Sequence, residues 1–163
     1  MARPGRAAAS MTPAIRVLEA RGVPHVLWEY RYVEHGGTAE AARQLGEDEH
    51  AVVKTLVFAE SPKAPVLVLM HGDCEVSAKA LARALGVKTM APCRPHVAER
   101  VTGYQVGGIS PFGTRQTLPT YVEATVLDLP HILVNGGRRG LLVAIAPAVL
   151  VDVLGATPVH VRA

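Results

Sequence analysis

The sequence predicts an α+β domain in which short helices flank a mixed β-sheet. Three observations lead there. Almost half of the 163 residues are hydrophobic (49%) and only 19% are charged, enough apolar surface for the core of one ordinary domain without disulfides or metals as staples. The apolar β-branched runs are short and bounded by Gly and Pro, which is strand patterning. The helical patterns between them are short, carry recognisable caps, and do not alternate regularly with strands as a parallel α/β fold requires.

Residues 1–10 lack the apolar core of a signal peptide and read as a short frayed extension, leaving 11–163 as the single domain. Thr12 and Pro13, followed by Ile15, Val17 and Leu18 on one face and by Gly22, read as a capped first helix. Val26, Trp28, Tyr30 and Tyr32 then alternate with their neighbours at strand period. After the break at His35, Gly36 and Gly37, Thr38 is expected to cap a short helix over 39–45 closed by Gly46. Runs 52–58 and 66–70 predict paired central strands, joined by a turn containing Ser61, Pro62 and Pro65. Ser77 caps a helix over 78–85 that stops at Gly86, and Pro95 opens another that stops near Gly103. Stretch 107–113 is too glycine-rich, and too interrupted by Pro111, for a regular element, so it is read as a structured loop. Strands over 121–124, 131–134 and 141–145 follow, the last two forming a hairpin whose tip is Gly136, Gly137, Arg138, Arg139 and Gly140. A helix over 147–154, ended by Gly155, and a strand over 157–161 complete the pattern.

Several classes of function are excluded or made improbable. No apolar stretch approaches the roughly 18 residues of a membrane span. A net charge of +3 permits an anionic partner without demanding one. The two cysteines, Cys74 and Cys93, have no C-x-x-C spacing and read as buried small groups in a reducing cytoplasm. The seven histidines show no H-x-x-x-H or H-E-x-x-H spacing, so no metal site is expected. Neither a P-loop nor a dinucleotide fingerprint is present, and Ser110 lies in no G-x-S-x-G context.

The chemistry centres on Lys54, the one charge between Ala51 and Ala59, on the same strand face as Val52, Leu56 and Phe58. It is either an edge-strand lysine that snorkels into water or an ammonium at the floor of a pocket, placed to hold a carbonyl or phosphate oxygen. The 107–113 loop lets backbone N–H groups approach a ligand and could cradle an oxyanion, or be an ordinary tight loop. Arg138 and Arg139 could clamp a phosphate or simply be solvated.

Taken together, Val53 to Val57, Gly103 to Gly113 and Asn135 to Gly140 resemble the YbaK/EbsC family, aminoacyl-tRNA deacylases related to the editing domain of bacterial prolyl-tRNA synthetases. The resemblance runs from about Met11 to the end. It implies a mixed, partly barrel-like sheet and hydrolysis, in trans, of the ester joining a wrong amino acid to tRNA, without metal or cofactor. On this resemblance Lys54 is the catalytic residue, binding near the terminal adenosine and scissile ester. The implied substrate-binding residues are Tyr30, Thr55, Gly107, Gly108, Ile109, Ser110, Pro111, Gly113, Asn135, Gly136, Gly137, Arg138 and Leu142. In cysteine-specific members the substrate's own thiol attacks the ester, so positioning and oxyanion stabilisation suffice. Asn135 and Leu142 stand where those members carry Ser and Asp, and Gly37 where they carry Phe. On the resemblance cysteine on proline tRNA is the first expected substrate, alanine or serine the next. A prolyl-tRNA synthetase is a further expected partner, and a non-catalytic tRNA- or synthetase-binding module is the alternative.

Overall fold

The computed structural model describes residues 11–60 and 64–163, so the expected extension over 1–10 and the turn residues Ser61 and Pro62 lie outside the described residues. In chain order the first half contains α1 (Pro13–Ala20), β1 (Val26–Glu29), α2 (Gly37–Leu45), β2 (Val53–Ala59), β3 (Pro65–His71) and α3 (Ala78–Leu85). The second contains β4 (Ala91–Pro92), α4 (Pro95–Thr102), β5 (Thr120–Glu123), β6 (Ile132–Asn135), β7 (Leu141–Ile145), α5 (Ala148–Leu154) and β8 (Thr157–Val159). Two 3-10 turns, Glu49–Ala51 and Ala124–Asp128, complete the list. The α+β reading holds, with the sheet divided in two.

The larger sheet has the order β4-β2-β3-β5-β8, antiparallel through β4, β2 and β3 and parallel through β3, β5 and β8. The smaller is antiparallel, in the order β1-β7-β6. A single parallel bridge, Val52 to Leu133, joins them, and they do not close into a barrel. All seven residues of β3 are buried, because both faces of this central strand are covered. Leu69 joins Leu18, Phe112, Ile132, Val143 and Leu150 in one core; Val68 and Met70 join Phe58, Leu81, Met90 and Val161 in a second; Leu67 packs with Val57, Val97 and Val101 in a smaller cluster.

Helix starts and stops follow the sequence signals. Thr12 caps α1, accepting from the Ile15 N–H at 3.1 Å, and Ser77 caps α3, accepting from Ala80 at 3.1 Å. Gly46, Gly86, Gly103 and Gly155 end their helices in the left-handed conformation, which only glycine adopts without strain.

Two local expectations change. The first strand ends at Glu29, not Tyr32, because the Gln44 side chain takes both backbone groups of Arg31, accepting from its N–H at 2.9 Å and donating to its carbonyl at 2.8 Å. Thr38 does not cap α2. The helix already starts at Gly37, and the Thr38 hydroxyl instead donates to Glu49 at 2.7 Å, tying α2 to the first 3-10 turn.

Candidate active site

The two sheets part along β2. On one side β2 pairs with β3 throughout; on the other, among the described residues, it meets Leu133 through Val52, β4 through Phe58 and Ala59, and the Cys93 N–H through the Val57 carbonyl at 2.8 Å. The unpaired edge between those contacts lines a cleft of about 660 Å³, within the range of ligand-binding cavities. Lys54 sits on this edge with its side chain 20% exposed and lines the cleft. Its Nζ lies 3.3 Å from Glu75 Oε1 across the cleft wall. Thr55, also in the wall, carries a buried hydroxyl with no hydrogen-bond partner among the described residues. A buried hydroxyl left unpaired costs about 1–3 kcal/mol, and such groups gather at sites awaiting a ligand or water.

The glycine loop closes one end of the cleft and is held from beneath. The Asn135 amide donates to the Gly107 carbonyl at 3.2 Å, and Arg139 Nε donates to the Val106 carbonyl at 2.9 Å. The Arg139 guanidinium lies over the Tyr32 ring, 4.7 Å from its centroid. Gly107 has φ +91°, and a Cβ there would stand 2.8 Å from the Tyr32 hydroxyl. These contacts consume carbonyls of the loop. The N–H groups of Gly107 and Ile109, two residues of the cleft wall, have no acceptor among the described residues. At the far end of the loop the Tyr104 hydroxyl donates to the Phe112 carbonyl at 2.7 Å. Burial pushes that phenol up to about 12, so it stays a donor at any ordinary pH.

Of the residues implied by the resemblance, Tyr30, Lys54, Thr55, Gly107, Ile109, Asn135 and Leu142 line the cleft together. Tyr30 packs with Leu142 and α2, and burial, reinforced by Tyr32, pushes its phenol above the ordinary value of 10. The others stand behind the wall. A Cβ on Gly108 would meet the Arg139 nitrogen at 2.7 Å, and one on Gly113 would meet the Pro13 carbonyl at 2.8 Å, so both are close backbone approaches. Ser110 and Pro111 are buried, the Ser110 hydroxyl accepting from the Phe112 N–H. Gly136 accepts from the Thr12 hydroxyl, Gly137 packs on Thr12 and Tyr104, and Arg138 reaches Glu29 at 3.5 Å.

Residues outside the expected set also shape the cleft: Tyr32, Glu75, Cys93 and Arg139. Tyr32 carried a signal in its alternation with Tyr30, and Arg139 in its place between glycines. Glu75 and Cys93 carried none. Burial pushes the Cys93 thiol up, which keeps it neutral and part of the apolar wall. Outside the cleft, His50, Asp73 and Cys74 come within 4.8 Å of one another, a set that could meet a cation. His50 is already hydrogen-bonded to Asp73 at 2.8 Å, the Cys74 thiol donates to the same Asp73 oxygen at 3.4 Å, and the Arg162 side chain interacts with Cys74.

A model of the aminoacyl-tRNA editing domain matches residues 34–153. The EbsC protein of Enterococcus faecalis, a candidate Cys-tRNA(Pro)/Cys-tRNA(Cys) deacylase, is 32% identical over 86% of this chain and 87% of its own length. The proline–tRNA ligase of Thermodesulfovibrio yellowstonii is 31% identical over 56% of this chain, which there spans only 16% of the ligase. Among solved structures, a candidate trans-editing enzyme for prolyl-tRNA synthetase superposes with TM-score 0.80 at 27% identity, over 94% of this chain and 99% of that one. A hypothetical protein of known structure superposes with TM-score 0.85 at 26% identity, over 93% and 99%. Fold and sequence similarity thus define an editing domain that acts on aminoacyl-tRNA. The chain belongs to the aminoacyl-tRNA editing domain family, and its activity is aminoacyl-tRNA deacylation. No helix among the described residues is long and apolar enough to cross a membrane.

Proposed function

We propose that residues 11–163 act as one unit that hydrolyses, in trans and in the cytoplasm, the ester of tRNA mischarged with a small amino acid. Cysteine on proline tRNA comes first, alanine or serine next, and a prolyl-tRNA synthetase is the partner that would hand over the RNA. The observation that carries this reading is Lys54, mostly buried on the open edge of β2 and lining a cleft large enough for a terminal adenosine with a short aminoacyl group.

In this reading the Lys54 ammonium holds the ester oxygen end of the substrate, and the free N–H groups of Gly107 and Ile109 meet the oxyanion as the carbonyl carbon turns tetrahedral. The 3′-terminal nucleotide packs against the apolar wall. With a cysteinyl ester the substrate thiol attacks the carbonyl carbon, the ester C–O bond breaks with the thiol proton passing to the departing ribose oxygen of the tRNA, and water then opens the cyclic thioester to free cysteine; with alanyl or seryl ester water attacks the carbonyl directly. Leu142 is buried against Ala41, Leu45 and Val52 and offers the amino acid side chain a wall of carbon rather than charge. One methylene in such a pocket discriminates by only about 1–3 kcal/mol, so several small residues are accepted. The test is a competition among cysteinyl, alanyl and seryl tRNA for the parent and Leu142→Asp. The reading expects release of more than one amino acid by the parent and a changed preference in the variant. Hydrolysis of cysteinyl ester alone, with Leu142→Asp unaltered, would remove the specificity argument.

A further inference from the structure

An aminoacyl ester brings its own positive charge, the α-ammonium, attached to the carbon next to the reacting carbonyl. A lysine that holds this ester therefore faces a like charge at close range, and a site that works by positioning must supply a counter-charge. Two of the cleft-wall residues next to the glycine loop have little to offer an ammonium. The Asn135 amide donates to Gly107, and its carbonyl oxygen accepts from the Gly137 N–H at 2.7 Å. Leu142 has no polar atom to offer. Of the carboxylates in the wall, Glu40 is engaged by Arg43 and Gln44. Glu34 makes no ion pair with Lys54.

Glu75 is differently placed. One oxygen lies 3.3 Å from Lys54 Nζ, while the other has no partner among the described residues. Its side chain is 83% exposed, so a ligand can reach it. Its backbone is nevertheless fixed: the Glu75 carbonyl accepts from the Ala163 N–H at 2.9 Å, Val76 bridges to Arg162, and the Ser77 N–H donates to Val161 at 2.7 Å. The carboxylate thus hangs over the cleft from a segment pinned by the C-terminal tail, beside the one lysine in the wall.

Resting on the reading above, that the ester lies at Lys54, we infer that Glu75 receives the α-ammonium of the aminoacyl group. Glu75 and Lys54 then form one recognition unit, the carboxylate for the amine and the ammonium for the ester, and the substrate class is an ester with a free α-amine. Peptidyl and N-acylated esters fall outside it. A charge-assisted hydrogen bond of this kind is read as a loss of about tenfold or more when its acceptor is neutralised.

The experiment compares kcat/KM on an aminoacyl-tRNA and on the same tRNA with its amino group acetylated, for the parent, Glu75→Gln and Glu34→Gln. The parent should prefer the free amine. Glu75→Gln should lose about tenfold or more on the free amine and little on the acetylated ester, collapsing the preference, while Glu34→Gln keeps it. Equal losses on both substrates would mean that Glu75 acts only by holding Lys54, and an unchanged rate on the free amine would mean that it does not touch substrate; either overturns the inference. A parent that hydrolyses neither ester overturns the deacylase reading itself, and the inference with it. Circular dichroism and melting of each variant separate these results from misfolding.

Discussion

Replacing Lys54 by Met separates chemistry from packing. The Lys54 side chain is 20% exposed, so most of its methylene stem is buried along β2. Truncation to Ala would remove three methylenes worth about 0.8 kcal/mol each when buried, a loss of up to ~2 kcal/mol. Met keeps nearly the same apolar length and deletes only the charge. The ion pair lost with it involves a carboxylate that is 83% exposed, and such pairs contribute about 0–1 kcal/mol. Lys54→Met should therefore melt within a few degrees of the parent, since about 1 kcal/mol corresponds to roughly 2–4 °C in a domain of this size. Its deacylation rate should fall by about 10–150-fold, the loss of one charge-assisted hydrogen bond of about 1.5–3 kcal/mol to the ester. Amino acid release from mischarged tRNA and a thermal melt, run on the same preparation, measure both. A variant that cleaves at the parental rate refutes the role of Lys54, and one that fails to fold shows the lysine to be structural.

Three further outcomes follow from the geometry. Gly107→Ala and Gly137→Ala both place a Cβ at positive φ, +91° and +103°, against packed neighbours, and each should cost about 1–3 kcal/mol. Only Gly107→Ala, in the cleft wall, should also lower the rate per folded molecule. Burial would raise the Glu123 carboxyl, but hydrogen bonds from Val161, Thr125 and Arg162 outweigh it and hold the group below the ordinary 4.5. Its contribution is complete above that value and is lost as pH falls through the lower folded value. The acid limb of a stability–pH curve should accordingly flatten in Glu123→Gln, and an unchanged limb would assign acid sensitivity elsewhere. With a net charge of +3, tRNA binding should be weak and should weaken further with salt. Affinity that is equal at low and high salt would show that phosphates are not contacted.

Elements whose cause is local were legible in the sequence. Thr12 before Pro13, Ser77 before an alanine-rich turn, and a glycine after each of four helices set boundaries through bonds within a few residues. Strands β2 and β3 showed themselves as β-branched runs because both are covered by core. What escaped depends on partners distant in sequence. Strand β1 stops where Gln44 captures Arg31, and β4 consists of Ala91 and Pro92, held only by pairing with Phe58 and Ala59. The site divides in the same way. Lys54 stood out as a charge on an apolar face, whereas Glu75 reaches it only because the chain terminus pins residues 75–77 beside the cleft. The division into two sheets was hidden too, since the open edge of β2 exists only once β6 and β4 take its two ends.

Hydrolysis, in this cleft, of the ester of aminoacyl-tRNA carrying a small amino acid is tested directly by incubating purified protein with cysteinyl, alanyl and seryl tRNA and measuring free amino acid over time against a buffer blank and against Lys54→Met. Release well above the blank is expected from more than one of the three, and release near the blank from the variant. Binding of the tRNAs without release from any of them would contradict this reading and leave a non-catalytic module.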